Sequence, residues 1–361
     1  MTEAAQVSTG LEIYGYATFA YVAAFLVYAI HAVYLRKKVV GTVATVFLLA
    51  AWGMHTVFLV KRSMFYYQQY QGFVLPSSNM FEVISYFAWM IVLLYLIAEI
   101  FFLKTRVFGV FILLIPLAAM IYTTRVMFLD PAAAEPREFM PALKSYWMPI
   151  HVSAMIISYS AFALAFIFAV LYILRARGVK VLERIDPRYN LKFLDYAMFR
   201  IVLFAFPILT LGVFLGAVWA DSSWGRYWGW DPKEVWALIT WLVYLGFLHL
   251  RIQWNFIGYR SALLSIVGFS CVMMTFQGVN LLDSAFGLSS LHAYAEGGAT
   301  LMLAVLGLAL LIPIVLFFLP MPKEDISHLD AYDDSLLPEP PATTAKEEPG
   351  LQTPDSGLRT R

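Results

Sequence analysis

Apolar runs long enough to cross a membrane, separated by short polar stretches, set the pattern of this chain. Windows of about 20 residues, the length that spans a hydrocarbon core, recur near 13–35, 39–60, 83–103, 107–124, 150–174, 200–220, 232–250, 261–282 and 298–319. The pattern predicts an all-α fold, a polytopic transmembrane helical bundle of about nine spans, with eight as the alternative count. After Pro320 the character changes: "MPKEDISHLDAYDDSLLPEPPATTAKEEPGLQTPDSGLRTR" is rich in proline, acid and small polar residues. Such a segment cannot bury a core. The expected organisation is therefore a membrane part over 1–320 and a disordered cytoplasmic tail over 321–361.

Composition agrees with the pattern: 61% of residues are hydrophobic and 14% charged, and the mean hydropathy is +0.72. Soluble domains are nearer half apolar and a quarter charged. The net charge of +1 says little about partners, because the distribution of Lys and Arg among the loops is what orients a membrane protein. Alternating the loops between two sides puts Arg36, Lys37, Lys38, Lys104, Arg106, Arg175, Arg177, Lys180, Arg184, Arg188, Lys192, Arg200, Arg251 and Arg260 on one face. The other receives Lys61, Arg62, Arg125, Arg137, Lys144, Arg226 and Lys233. The richer face is expected to be cytoplasmic, which places the N-terminus outside and the C-terminus inside. "MTEAAQVSTGLEIYG" lacks a basic n-region and reads as an uncleaved, translocated tail. Membrane lipid is an expected partner; nucleic acid is not.

Several chemistries drop out. Cys271 is the single cysteine, so a disulfide relay, a C-x-x-C motif and a C-x-x-C-H haem attachment site are excluded within this sequence. There is no Walker A or dinucleotide fingerprint. Glu99, five residues before Lys104, is expected to snorkel or pair locally.

What remains is a tryptophan-rich polar stretch, "WGRYWGWDP" at 224–232, running into "KEVWALITW". Trp and Tyr collect at membrane interfaces for amphipathic reasons alone. Asp231, Pro232 and Glu234 also have a structural reading, as N-cap, N1 and N3 of the seventh helix. Neither explains why one histidine on each side, His151 at the start of the fifth span and His292 in the last external loop, shares the predicted face of the tryptophans. A haem has a flat apolar ring, an iron that takes an imidazole from each face, and two propionates. An aromatic shelf, paired histidines and cations such as Arg62, Arg125 or Arg226 would suit it. His249, roughly 26 Å along the seventh helix from Pro232 at ~1.5 Å per residue, lies near the opposite leaflet. His31 lies at a similar depth. His55 is expected to hydrogen-bond within the bundle, and His328 to be solvated in the tail.

These segments carry a resemblance. "WGRYWGWDPKEVWALITWLVYLGFLHLR" resembles the WWD signature of the haem-handling superfamily of cytochrome c assembly, and within it the CcsA/ResC family of system II. "YWMPIHVSAMIISYSAFALAF", "LHLR", "LHAYA" and "LPSSNMFE" at 75–82 look like segments of the same family. The resemblance implies haem b held at the external face, with His151 and His292 as iron ligands and His249 as a transmembrane haem ligand. Trp224, Trp228, Trp230 and Asp231 match the signature, flanked by Arg226 and Trp236. It further implies presentation of haem to the C-x-x-C-H segment of an apocytochrome c, as a component of a holocytochrome c synthase complex with a CcsB/ResB-type subunit that supplies the partner of His249. Pairing of His249 with His31 is the internal alternative. A bacterial cytoplasmic membrane, or a thylakoid membrane in a plastid lineage, is the implied location. Two other classes stay open on the residues alone: a b-type electron-transfer cytochrome, and a membrane transporter of hydrophobic solutes.

Overall fold

The structure is a computed structural model and describes residues 3–35, 37–70, 75–138, 144–179 and 190–280, with isolated helical residues at 307, 311, 315, 316 and 318. All regular structure among the described residues is helical. The order is α1 (Glu3–Ile30, passing into a π-helical turn at His31–Leu35), α2 (Lys38–Tyr70), α3 (Met80–Ile97, π-helical over Ala98–Leu103), and the short α4 (Gly109–Ile112). There follow α5 (Leu114–Leu129), the short α6 (Pro131–Ala134), α7 (Trp147–Ala176), α8 (Leu191–Trp224), α9 (Pro232–Trp254) and α10 (Tyr259–Met273, π-helical over Met274–Gly278).

Eight of these segments are long and apolar enough to cross a membrane, and they coincide with the first eight predicted spans. The ninth, 298–319, lies almost wholly outside the described residues, as does the tail. Helix α1 overruns its apolar window by starting at Glu3, and two more helices overrun theirs where a buried ion pair sits in the extension. α2 continues to Tyr70 and α8 begins at Leu191, and the buried charge in each extension, Arg62 or Asp195, is paired within the bundle. Arg62 Nη1 lies 3.4 Å from Glu82, and Arg251 forms a two-pronged ion pair with Asp195. A charge in low dielectric needs a partner of this kind.

Helix ends follow local chemistry. Asn79 and Asn190 accept the N–H groups of Glu82 and Phe193 at 2.9 and 3.0 Å, capping α3 and α8. Gly225, at φ +70°, closes α8 in the left-handed conformation that glycine adopts without a Cβ penalty. Pro149 and Pro116 fall in the first turns of α7 and α5, where no intrahelical hydrogen bond is lost.

Helix α7 forms the centre: 78% of its membrane window is buried, against 22% for α8. Its run of Ser158, Ser160, Ala161, Ala163, Ala165 and Ala169 is buried, and small side chains let neighbouring helices approach without lipid between them. Tyr244 of α9 stacks on Phe162 of α7 with 3.7 Å between ring centroids, and a Cβ on Gly268 of α10 would lie 2.6 Å from the Tyr244 ring. The three helices therefore share one close-packed seam. α8 approaches α7 through Gly212 and Gly216, one turn apart, where a Cβ would meet Met155 at 2.6 Å and His151 at 2.7 Å.

The N-termini of α3, α7 and α9 and the C-terminus of α8 converge at one end of the bundle, the tryptophan end. At the opposite end of α3, Glu99 is buried and accepts hydrogen bonds from Tyr28, Tyr95 and Thr45 at 2.7, 2.5 and 2.5 Å. Arg106 lies 3.8 Å away. The local pairing expected for Glu99 is present, and burial among hydroxyl donors replaces snorkelling.

Candidate functional site

A cleft opens at the tryptophan end between α3, α7, α8, α9 and α10, enclosing about 1160 Å³ of space including its mouth. Its walls are mainly aromatic and aliphatic. α7 contributes Met148, His151, Met155 and Tyr159, α8 contributes Gly216 and Trp219, and the loop after α8 contributes Tyr227 and Trp228. Lys233 and Glu234 come from the first turn of α9, and Thr275 and Asn280 from the end of α10.

His151 sits in the second turn of α7 with its orientation set by α8. Its Nδ1 is 2.8 Å from the carbonyl oxygen of Gly212. A carbonyl only accepts, so Nδ1 carries the donated proton, the arrangement by which proteins orient ligating imidazoles. The ring lies nearly parallel to Trp219, with centroids 5.7 Å apart at 23°. Lacking a Cβ, Gly216 leaves the room the imidazole occupies.

The tryptophan loop is pinned by one carboxylate. Glu234 Oε2 accepts the N–H groups of Gly229 and Asp231 at 2.8 and 3.1 Å, while Asp231 Oδ1 accepts from the Lys233 N–H at 2.9 Å. This is the capping box that the spacing of Asp231 and Glu234 predicts. Between the two bonds, Trp230 is held at φ +58°, a left-handed conformation that costs a bulky residue about 1–3 kcal/mol. Glu234 therefore acts on the loop as well as on its helix. Glu234→Ala should accelerate amide exchange at Gly229 and Asp231 while leaving the middle of α9 protected. The expected local loss is on the order of 2 kcal/mol, since hydrogen bonds to a charged acceptor disappear. Unchanged exchange at both amides would refute the pinning role.

The other singled-out residues take distinct places. Trp228 lines the cleft, and exposed Trp230 meets it edge-on at 6.0 Å. Trp224 is the last residue of α8 and packs on Trp219, 5.0 Å between centroids. Asp231 is buried in its cap. Exposed Arg226 folds over the loop backbone, where a Cβ on Gly229 would lie 2.7 Å from its Cζ. Trp236 packs against Met274. His292 lies outside the described residues. His249 is far along α9, exposed and edge-on to Trp254 at 5.9 Å. His31 is buried against Gly41 of α2, so the described surroundings of these two histidines come from different helices. His55 is buried between Tyr21 and Ser85, at 3.3 and 2.8 Å, the internal bonding expected of it.

Three features had no local sequence signal. Trp219 stacks on His151 across 68 residues of chain (219 − 151), with only the Gly212 and Gly216 spacing to suggest a close helix contact. Lys233 reads as a helix residue and becomes cleft lining. Glu82 is buried in the first turn of α3, accepting from Tyr66 at 2.9 Å and from the Ser78 N–H at 2.9 Å beside Arg62. Arg62, whose Nη2 also donates to the Ala134 carbonyl, is thus built into the scaffold. Tyr66 belongs to the same aromatic cluster as Trp219 and Met148, which ties this scaffold to the wall of the cleft.

Known proteins share both sequence and fold with this chain. The family model for cytochrome c assembly protein matches residues 77–287. The cytochrome c biogenesis protein CcsA of Guillardia theta is 34% identical over 237 residues, covering 61% of this chain and 76% of that protein. CcsA of Rippkaea orientalis is 32% identical over 284 residues, covering 62% and 81%. Among solved structures, the cytochrome c heme lyase CcmF matches 87% of this chain with a TM-score of 0.55 at 17% identity, a likeness of fold. The chain spans 52% of that lyase. A helical bundle with eight membrane-length spans, matched over most of the length of curated relatives, makes this chain a multi-pass membrane member of the cytochrome c assembly family, of the CcsA type, with a role in cytochrome c biogenesis.

Proposed function

We propose that the chain binds haem b in the cleft at the tryptophan end and presents it for covalent attachment to apocytochrome c, together with a CcsB/ResB-type subunit. The observation that carries this reading is the union of an oriented imidazole and an aromatic cleft: His151, fixed by Gly212 and stacked on Trp219, lines the same space as Trp228. The chemistry of the cleft fits a macrocycle: its walls suit an apolar ring, and a porphyrin supplies four iron ligands so that the protein need add few of its own.

In this reading His151 and His292 would hold the haem iron between them. The aromatic wall carries the ring edge and keeps water from the iron. The attachment itself is redox-neutral: each cysteine S–H of the C-x-x-C-H segment adds across a vinyl C=C, forming one C–S and one C–H bond. The acceptor's own histidine then displaces one of the two ligands. An open cleft beside a loop favours release over permanent holding, which is what separates this function from that of an electron-transfer cytochrome. His249, exposed toward the outside of the bundle, is suited to share a second haem with the partner subunit at the inner leaflet, and the tryptophan end would then face the outside.

The direct test is co-expression with a CcsB-type subunit and an apocytochrome, scoring covalent haem on the acceptor. Accumulation of holocytochrome only when this chain is present is the expected result; none in any combination would reject the reading. A finer test uses the glycine beneath the imidazole. In Gly216→Ala the new Cβ would stand 2.7 Å from His151 Cε1, so haem per polypeptide should fall and the absorption bands shift while the bundle stays folded. Gly212→Ala presses mainly on the flexible end of Met155 and should be milder. Equal haem loading in both variants and wild type would contradict the placement of the iron at His151.

A further inference from the structure

We propose that Trp241 is a positioning residue for His151: its indole N–H, acting through Thr210, fixes the half of α8 nearer the cleft and with it the carbonyl that orients the imidazole. This rests on the reading of His151 as a haem ligand and adds to it the residue that sets the plane of that ligand.

Helix α8 has a weak point below the cleft. Pro207 lies inside it, five residues before Gly212 (212 − 207), and supplies no N–H, so the ladder bond that would join residues 207 and 203 is missing. Proline in a helix interior is a usual place for a bend. The part beyond it, 208–224, carries Gly212, Gly216 and Trp219, and so most of what α8 brings to His151. It meets α7 through the two glycines, which permit close approach but present no side chains to interlock. On its other side Leu211 and Phe214 are exposed, and only 22% of the membrane window of α8 is buried.

α9 supplies a directional restraint at this point. Trp241 Nε1 donates to Thr210 Oγ1 at 3.0 Å, and Thr210 Oγ1 donates to the Phe206 carbonyl at 2.9 Å, a bond within the helix of the kind threonine makes one turn back. The Trp241 ring also packs against Phe206, with 5.6 Å between centroids at 32°. One indole thus holds α8 on both sides of Pro207. Thr210 stands two residues before Gly212, whose carbonyl meets His151 Nδ1 at 2.8 Å, so a shift of Thr210 is a shift of that carbonyl. An indole N–H in apolar surroundings is costly to leave without an acceptor, which makes the bond to Thr210 a fixed feature. Trp241 does not line the cleft, and it reaches the imidazole only through α8.

The test follows the imidazole itself. Full-length protein carrying isotope-labelled histidine is purified in detergent from a host unable to make haem, and the His151 Nδ1–H resonance is identified by its loss in His151→Gln. Trp241→Phe keeps an aromatic ring and loses the N–H; Thr210→Val keeps the shape and loses the hydroxyl. Each should shift or broaden the resonance, and Thr210→Ser, which keeps the hydroxyl, should preserve it. Titrated with haem beside the partner subunit, the first two should bind about threefold to tenfold more weakly, the span of one hydrogen bond, with an altered absorption spectrum. The double variant should be no worse than either single one, because both remove the same bond. A Trp241→Phe protein with the wild-type resonance and haem affinity would overturn the assignment, even if its thermal midpoint fell, since that is what a merely structural role gives. Losses that multiply in the double variant would also overturn it. If Trp241→Phe does not fold, the Thr210 pair decides: Thr210→Ser no closer to wild type than Thr210→Val refutes the role. Wild type that binds no haem would sink the haem reading, while the resonance in haem-free protein still decides the role of Trp241.

Discussion

Replacement of His151 by alanine is expected to reduce covalent haem on the co-expressed acceptor to background and to strip most haem from the purified protein. The expectation follows from the way the ring is held. Its Nδ1 donates to the Gly212 carbonyl at 2.8 Å, which fixes the orientation of the ring, and Trp219 limits the rotation of the imidazole plane. Alanine removes the ligand and the stacking partner together while the aromatic walls remain, so loosely held, spectrally altered haem is the predicted residue of binding. Imidazole added to His151→Gly should restore the low-spin spectrum, which a purely structural role for His151 would not do. His292→Ala is expected to act similarly. If the double variant kept wild-type haem content and spectrum, the ligand assignment would be wrong.

The largest effect on stability is expected at the opposite end of α9, from Asp195→Ala. Asp195 and Arg251 are both buried and paired through two carboxylate oxygens, and Asp195 also accepts the Gly258 N–H at 2.9 Å. Removing the carboxylate strands a buried guanidinium and an amide, a class of change that costs about 3–5 kcal/mol. The Asp195→Leu, Arg251→Met pair should recover much of this, because no charge is then left without compensation. Thermal unfolding in detergent of Asp195→Leu, of Arg251→Met and of the pair forms a double-mutant cycle. A single variant as stable as wild type, or a pair no better than either single variant, would contradict the account. His249 lies one half-turn from Arg251 on the same helix, so the single variants should also disturb whatever binds at its exposed face.

Much of this protein is legible in the order of its residues. The first eight spans follow from apolar length alone, since lipid leaves a helix as the simplest way to satisfy a backbone. The capping box at Asp231 and Glu234 could be read directly, because its partners are three residues apart and its geometry is local. The tryptophan segment and the histidine of α7 mark the family for the same reason: each is a compact run of unusual residue types.

What the sequence could not decide is which of these residues meet. Helix α2 runs past its apolar window, where Arg62 finds Glu82, and α8 starts before its own, where Asp195 finds Arg251; both pairings join distant parts of the chain. The choice of Trp219 rather than Trp230 as the indole beside His151, and the arrival of Lys233 in the cleft, are set by how α7, α8, α9 and α10 pack. Apolar periodicity says that a helix is buried but not against what, since lipid tails and helix faces are equally apolar. Only close packing, with glycines at 212 and 216 allowing α8 onto α7, turned a histidine and a set of tryptophans into one site.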